Sequence, residues 1–106
     1  MKKFETLLVA AGVAGMLIGA TAAVAADGAA LYTQKLCTTC HGPDAKSPIQ
    51  PTYPRLAGQN SAYCQQQVKD IRAGNRTNGL TAAMKPLVQA VTDDEIAAIC
   101  DYVSSL

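Results

Sequence analysis

The sequence CTTCH at residues 37–41 constrains this chain more than any other feature, because two thiols and an imidazole fall within one short segment. His41 is the single histidine of the chain, and Cys37 and Cys40 are two of its four cysteines. Three kinds of site use such a cluster: a dithiol redox couple, part of a zinc site, or covalent attachment of haem with the histidine as iron ligand. The remaining sequence has to distinguish among them.

The N-terminal segment differs from the rest of the chain and predicts an export signal. A pair of lysines precedes an uncharged run of mostly small and apolar residues, which ends in the sequence AVA at 23–25 that suits signal peptidase. We therefore predict a signal peptide at residues 1–25, cleaved after Ala25 or Ala26, and a mature domain at residues 26–106. The alternative is an uncleaved membrane anchor, because the uncharged run is long enough to span a bilayer.

The size and charge of the mature chain limit the classes of function that it can have. Its basic and acidic residues are balanced once the leader is removed, which argues against nucleic acid as a partner. Export would place the cysteines in an oxidising compartment. A domain of about 80 residues buries a modest core and often depends on a disulfide, a metal or a cofactor.

The first half of the mature chain predicts one helix and a long loop. Asp27 can cap a helix over residues 28–39, which leads directly into the CTTCH motif. The candidates for the inner face of this helix are Ala30, Leu31 and Leu36. The segment 42–59 contains four prolines and has neither helical nor alternating periodicity, so we predict a loop. Such a long loop is unusual in a small domain unless it encloses something.

The second half predicts further helices. A middle helix begins at Asn60 or Ser61 and ends at Gly74. Its apolar face comprises Tyr63, Cys64, Val68 and Ile71. A last helix begins with a capping box formed by Thr92 and Glu95. Its apolar stripe comprises Ile96, Ile99, Cys100 and Val103. Between the two we predict a loop that carries Met84 and a short helix from Pro86 to Ala90.

Haem attachment fits this setting best among the three chemistries. A thioredoxin-like dithiol belongs to a βαβ unit, which the sequence does not predict. Structural zinc usually takes its ligands from two paired knuckles, whereas Cys64 and Cys100 each occur singly in a predicted helix. Met84 is the only methionine outside the predicted leader, which makes it a candidate sixth ligand of the iron, with core filling as the alternative.

The segments CTTCHG, PTYPRLAGQ, SAYCQQQVKDIRAGNR and TDDEIAAICDYVSSL, together with Met84, resemble the class I cytochromes c. Within this class they specifically resemble a single domain of the cytochrome c4 type or the related small c-553-like carriers. The resemblance implies an all-α class I cytochrome c fold, with short helices and loops wrapped around one covalently attached haem c. It also implies thioether bonds from Cys37 and Cys40, and axial ligation of the iron by His41 and Met84.

The resemblance carries further expectations for the haem environment. Pro54 would offer its backbone carbonyl to the second ring nitrogen of His41, and Leu56 would pack on the haem. The middle and last helices touch in this family, so Cys64 and Cys100 are expected to form a disulfide. The alternative for the pair is two buried free thiols.

The implied function is one-electron transfer in the periplasm, between a donor and an acceptor that are themselves larger redox proteins. The chain would be a carrier and not an enzyme, and it would contact a membrane only if its leader stayed uncleaved. Two alternatives remain at this point. The first is a haem c subunit fixed in a dehydrogenase complex, and the second is a ligand-binding or peroxidatic haem protein.

Overall fold

The computed structural model describes residues 26–106, which contain five α-helices and no β-strand. In chain order these are α1 (Gly28–Gln34), α2 (Cys37–His41), α3 (Ser61–Ala73), α4 (Thr81–Val88) and α5 (Asp93–Ser104). The all-α prediction is confirmed for this part of the chain. The predicted signal peptide at residues 1–25 lies outside the described residues. Within residues 26–106, none of the helices has the length and apolar character needed to cross a bilayer.

The first and last of these helices, α1 and α5, pack closely against each other. A Cβ atom on Gly28 would lie only 2.1 Å from the carbonyl oxygen of Ala98, so this crossing requires a glycine. Four residues further along α1, the ring of Tyr32 contacts that of Tyr102, with centroids 5.7 Å apart. The α1–α5 pair therefore joins the two ends of the described chain.

One hydrophobic core cluster lies between α5, α1 and the long loop. Its buried members are Tyr32, Ala45, Val91, Ile96, Ile99, Cys100 and Val103. The apolar stripe predicted for the last helix is thus confirmed, because all four of its residues are buried. Asn60 and Thr92 cap α3 and α5 as predicted, and both hydrogen bonds of the Thr92–Glu95 capping box are present.

The single helix predicted over residues 28–39 is wrong, because the structure breaks it between Gln34 and Cys37. Leu36 adopts a left-handed conformation with φ of 67°, so the chain changes direction between α1 and α2. Leu36 is consequently 50% exposed, and its predicted place on the inner face is also wrong. Tyr32, which is 1% exposed, is instead the fully buried side chain of α1.

The predicted loop between α2 and α3 contains neither helix nor strand. It is attached to the core by backbone hydrogen bonds around the buried Ala45, whose carbonyl accepts from the N–H groups of Leu56 and Ala57 at 2.9 and 3.0 Å. Further along, the Gly58 N–H donates to the carbonyl of Val103 at 2.8 Å. These bonds fix an irregular segment against α5 without regular secondary structure.

Two predictions for the second half of the chain need correction. Met84 lies within α4 rather than in a loop, since this helix begins five residues before Pro86 and ends at Val88 instead of Ala90. Met84 and Val88, four residues apart, consequently share one face of this helix and line the same cavity. Tyr63 was expected on the inner face of α3, but its side chain is 54% exposed.

Candidate haem site

Two adjoining cavities of about 220 and 160 Å³ separate α2 and the long loop from α3 and α4. We refer to them together as the crevice. Residues that line both cavities include Cys37, His41, Pro54, Arg76, Met84 and Val88. The crevice therefore brings together residues from the CTTCH motif, the proline-rich loop and α4, which are far apart in the sequence.

The two cysteines of the motif are presented by α2. Cys37 and Cys40 are three residues apart, which places them on the same side of the helix, and neither forms a disulfide. Both line the crevice. Burial raises the pKa of the Cys37 thiol to about 11, because a thiolate would lose its hydration there. At neutral pH its sulfur is therefore uncharged, as an apolar cavity requires.

His41 ends α2 with its imidazole buried in the crevice. Its Nδ1 lies 2.8 Å from the carbonyl oxygen of Pro54. A carbonyl can only accept a hydrogen bond, so Nδ1 carries the proton and donates it. The unprotonated Nε2 is then free to coordinate a metal, in an orientation that the loop fixes.

The backbone behind His41 is closely packed. Gly42 has φ of 87°, and a Cβ atom on it would lie 2.3 Å from the carbonyl oxygen of Ser47. The hydroxyl of the buried Tyr32 donates to the Gly42 carbonyl at 2.7 Å. Burial raises the pKa of Tyr32 to about 12, with a smaller contribution from Cys37. These contacts connect the end of α2 to α1 and the loop.

Met84 faces the crevice from α4, on the wall that also contains Ile71 of α3 and Val88. Its side chain is partly buried. Leu56 of the long loop lines the larger cavity and packs against the core. A thioether from α4 and an imidazole from α2 thus border the same apolar space.

Charge is unevenly distributed around the crevice. Lys35, Arg55 and Arg76 line it, and none of its described lining residues is a carboxylate. Lys35 pairs with Glu95 at 3.4 Å, and Arg76 donates from Nε to Asn78 at 3.1 Å. A group of carboxylates lies instead beside the α1–α5 crossing, where Asp27, Asp94 and Asp101 line a separate depression.

Cys64 of α3 and Cys100 of α5 are bonded to each other in a disulfide, with their α-carbons 5.7 Å apart. Of the two expectations for this pair, the structure has the bridge and not the free thiols. Both residues also line the larger cavity of the crevice. Because the two cysteines bond to each other, they cannot serve as zinc ligands alongside Cys37 and Cys40.

The comparison with known families decides what this crevice binds. A family model for cytochrome c matches residues 25–106. The chain belongs to the cytochrome c family. Cytochromes c bind haem c, with its iron, through covalent bonds, and they carry electrons. The residues of the crevice fit this cofactor, because they combine two adjacent thiols, an oriented imidazole, a thioether and apolar walls.

Individual cytochromes c agree with this assignment. The chain is 40% identical over 103 residues to a thiosulfate dehydrogenase electron acceptor from Stutzerimonas stutzeri (strain A1501), a match that covers 91% of this chain and 46% of the relative. It is 36% identical to cytochrome c-553 from Nitratidesulfovibrio vulgaris (strain DSM 19637 / Miyazaki F), over 88% of this chain and 89% of the relative. The chain thus spans about half the length of the first relative and most of the second.

The fold agrees as well. The crystal structure of reduced recombinant cytochrome c4 from Pseudomonas stutzeri superposes with a TM-score of 0.61 and 31% identity, covering 79% of this chain and 52% of the cytochrome c4 chain. The predicted class I cytochrome c fold and the predicted haem c are confirmed.

Two cytochrome residues that shape the crevice were not predicted from the sequence. Arg76 lines both cavities, but no local pattern distinguishes it from an exposed arginine such as Arg55. Tyr32 orients the Gly42 carbonyl behind the histidine. The sequence could have indicated its burial, because Tyr32 lies four residues after Gly28 on the face of α1 that meets α5.

Proposed function

We propose that this cytochrome c is a periplasmic one-electron carrier whose haem iron is ligated by His41 and Met84. The observation that carries the proposal is the position of these two side chains on separate elements, α2 and α4, that border one apolar crevice. The hydrogen bond from His41 Nδ1 to the Pro54 carbonyl supports the assignment, because it leaves Nε2 available for iron.

Several residues of the crevice would hold the cofactor. When bound, haem c supplies an iron that changes between the ferrous and ferric states. Cys37 and Cys40 would hold the porphyrin through thioether bonds, and Leu56 would pack against it and exclude water. Arg76 is suited to the carboxylates of the haem, since it lines both cavities and only its Nε donates to a described side chain.

Ligation by both His41 and Met84 favours electron transfer over ligand binding. A methionine sulfur in the sixth position stabilises the ferrous state and prevents a substrate from reaching the iron. The similarity to a thiosulfate dehydrogenase electron acceptor supports a dehydrogenase as the class of electron donor. The periplasmic location is supported by the leader predicted from the sequence.

The test is the substitution Met84→Ala in the haem-loaded protein, expressed with its full leader. Ferric wild-type protein should show the weak long-wavelength band of a thioether bound to iron. Met84→Ala should lack this band, have a lower reduction potential and bind added azide readily. The control is Lys85→Ala, which changes an exposed residue of the same helix outside the crevice lining and should keep the band.

The same preparation tests the location. Wild-type protein should be recovered from the periplasmic fraction, with an intact mass that corresponds to a chain beginning at Ala26 or Asp27 plus one haem. A Met84→Ala spectrum identical to that of the wild type would refute the proposed ligation. A full-length mass in the membrane fraction would refute the proposed periplasmic carrier.

A further inference from the structure

The two walls of the crevice are attached to the core in different ways. The wall with His41 belongs to α2, which contacts α1, and α1 packs directly on α5. The wall with Met84 belongs to α4, and among the described helices α4 packs on α3 alone. Helix α3 in turn packs on α5. The position of Met84 relative to the core therefore depends on how α3 is attached.

Only the part of α3 up to Val68 packs against the core cluster, through Cys64 and Val68. Ile71, one turn later, is buried but lies outside that cluster, and so does Val88 of α4. Both of these residues line the crevice. The last turn of α3 and the whole of α4 thus form one wall, which the cofactor cavity separates from the main core.

The disulfide lies where this wall joins the core. Cys64 is on the part of α3 that touches the core cluster, and Cys100 is a fully buried member of that cluster. The bond links residues 36 positions apart, and the chain segment between them contains α4 with Met84. It therefore closes, by a covalent bond, the segment of chain that supplies the proposed sixth ligand.

The other polar connections of this wall are noncovalent, and most of them are near the surface. Ser61 hydrogen-bonds the exposed carboxylate of Asp101 at the start of α3. At its end, Arg72 pairs with the exposed Asp93 at 2.6 Å and makes a partly buried hydrogen bond of 3.0 Å to the carbonyl of the core residue Val91. Exposed pairs contribute little and are screened by salt. The disulfide is the covalent attachment of α3 to the core, and the Arg72–Val91 hydrogen bond supplements it.

We propose that Cys64 and Cys100 are positioning residues for Met84. Their disulfide fixes α3 on α5, and through α3 it keeps α4 against the crevice. Without the bond, α3 and α4 open together as a local unit, and the sixth position becomes accessible while α1, α2 and α5 stay folded. This inference rests on the proposed ligation of iron by Met84, and it assigns control of that ligation to a bond on a neighbouring helix.

The experiment compares the double variant Cys64→Ala/Cys100→Ala with Ser61→Ala, both loaded with haem. Ser61→Ala removes the hydrogen bond from α3 to Asp101 of α5 but keeps the disulfide, and Ser61 does not line the crevice. Azide binding to the ferric protein reports how often the sixth position opens. We expect the double variant to bind azide faster than wild type by about tenfold or more, and Ser61→Ala to change the rate by less than about threefold.

Native-state amide hydrogen exchange provides the second measurement. In the double variant, protection of amides in α4 and in the last turn of α3 should fall by about tenfold more than protection in α1. An equal loss of protection in α1 and α4 would mean that the disulfide only stabilises the fold as a whole, and it would overturn the inference. So would an unchanged azide-binding rate in the double variant.

The two proposals fail separately. If ferric wild-type protein lacks the thioether band, ligation by Met84 is wrong, and the exchange pattern alone then decides whether α4 depends on the disulfide. If the double alanine variant does not accumulate, the same comparison is made with Cys64→Val/Cys100→Ala, in which valine restores side-chain volume on α3 without a covalent bond.

Discussion

The two walls of the crevice are held in place by different kinds of interaction. The wall that carries His41 is built from buried backbone and side-chain hydrogen bonds, such as that from Tyr32 to Gly42, and from a backbone position that only glycine fits. The wall that carries Met84 has surface hydrogen bonds and ion pairs, one disulfide, and a helix with a proline inside it.

This difference indicates a division of roles in the cytochrome. A buried hydrogen bond that loses its partner is costly, because the remaining group is not solvated. An exposed pair that breaks loses little, since water replaces the partner. The histidine wall should therefore tolerate few changes, and the methionine wall should tolerate polar changes while depending on its covalent bond. The following substitutions test the contrast, from the largest expected effect to the smallest.

The largest effect is expected for Gly42→Ala on the histidine wall. The new methyl group would lie 2.3 Å from the Ser47 carbonyl oxygen, so the backbone must shift behind His41. We expect the free energy of unfolding of the haem-loaded protein to fall by ~3 kcal/mol or more in a denaturant titration.

Gly58→Ala is the matched control for this substitution. Gly58 also has a positive φ, of 80°, but nothing lies within 4 Å of its added methyl group. Its cost should be only the conformational strain, ~1 kcal/mol. Equal losses in the two variants would show that close packing behind His41 is not what distinguishes this wall.

A smaller effect is expected for Tyr32→Phe, which removes the hydroxyl that donates to the Gly42 carbonyl. That carbonyl also accepts from the Ala45 N–H, so the loss should be ~1 kcal/mol at neutral pH. The pKa of Tyr32 is raised from 10.0 to about 12, so the folded state binds this proton more tightly than the unfolded state. Its stabilising effect is complete below pH 10 and is lost as the pH rises to about 12.

Denaturant titrations between pH 8 and about 12 check this pH dependence. Wild-type protein should lose stability more steeply than Tyr32→Phe above pH 10. Tyr63→Phe, which changes an exposed tyrosine, serves as the control and should follow the wild-type curve. Parallel curves for wild type and Tyr32→Phe would contradict a buried, proton-donating hydroxyl on the histidine wall.

The smallest effect is expected for Asp93→Asn on the methionine wall, which removes the ion pair with Arg72 but keeps the hydrogen bond from Arg72 to Val91. Arg72 lowers the pKa of Asp93 through a hydrogen bond, so the pair stabilises the fold above the ordinary carboxyl pKa of 3.8. That contribution is lost as the pH falls through the lowered pKa. Asp93→Asn should therefore be slightly less stable than wild type at pH 6, and the difference should narrow at pH 3. Asp94→Asn, at the same helix start, is the control, and a large loss of stability in Asp93→Asn would contradict the difference between the two walls.

Sequence patterns predicted the parts of this fold that are determined locally. The boundaries of α3 and α5 follow from capping residues, such as Asn60 and Thr92, that bond to backbone groups three residues away. The CTTCH motif is equally local, because a single turn of helix presents both thiols and the imidazole. Met84 was identifiable because no other methionine occurs in residues 26–106.

The errors arose where tertiary contacts override local preference. Leucine disfavours the left-handed conformation, so nothing in the sequence indicates the break at Leu36. Pro86 predicts a helix start, but α4 begins at Thr81 and contains the proline, with Met84 and Val88 on one helical face. Arg76 lines the crevice because the chain folds around a cavity, and the spacing of residues does not encode that position.

The arrangement of charge around the crevice has a consequence for molecular encounter. Lysine and arginine side chains border the cofactor cavity, whereas Asp94 and Asp101 lie on the face of α5 opposite its buried stripe. The side-chain charges of the described chain are thus unevenly placed, although its positive and negative side chains are equal in number. The electric field of a charged redox partner should therefore rotate the molecule into a preferred orientation more strongly than it attracts the molecule as a whole. Ionic strength should then alter the fraction of collisions that are correctly oriented more than the number of collisions.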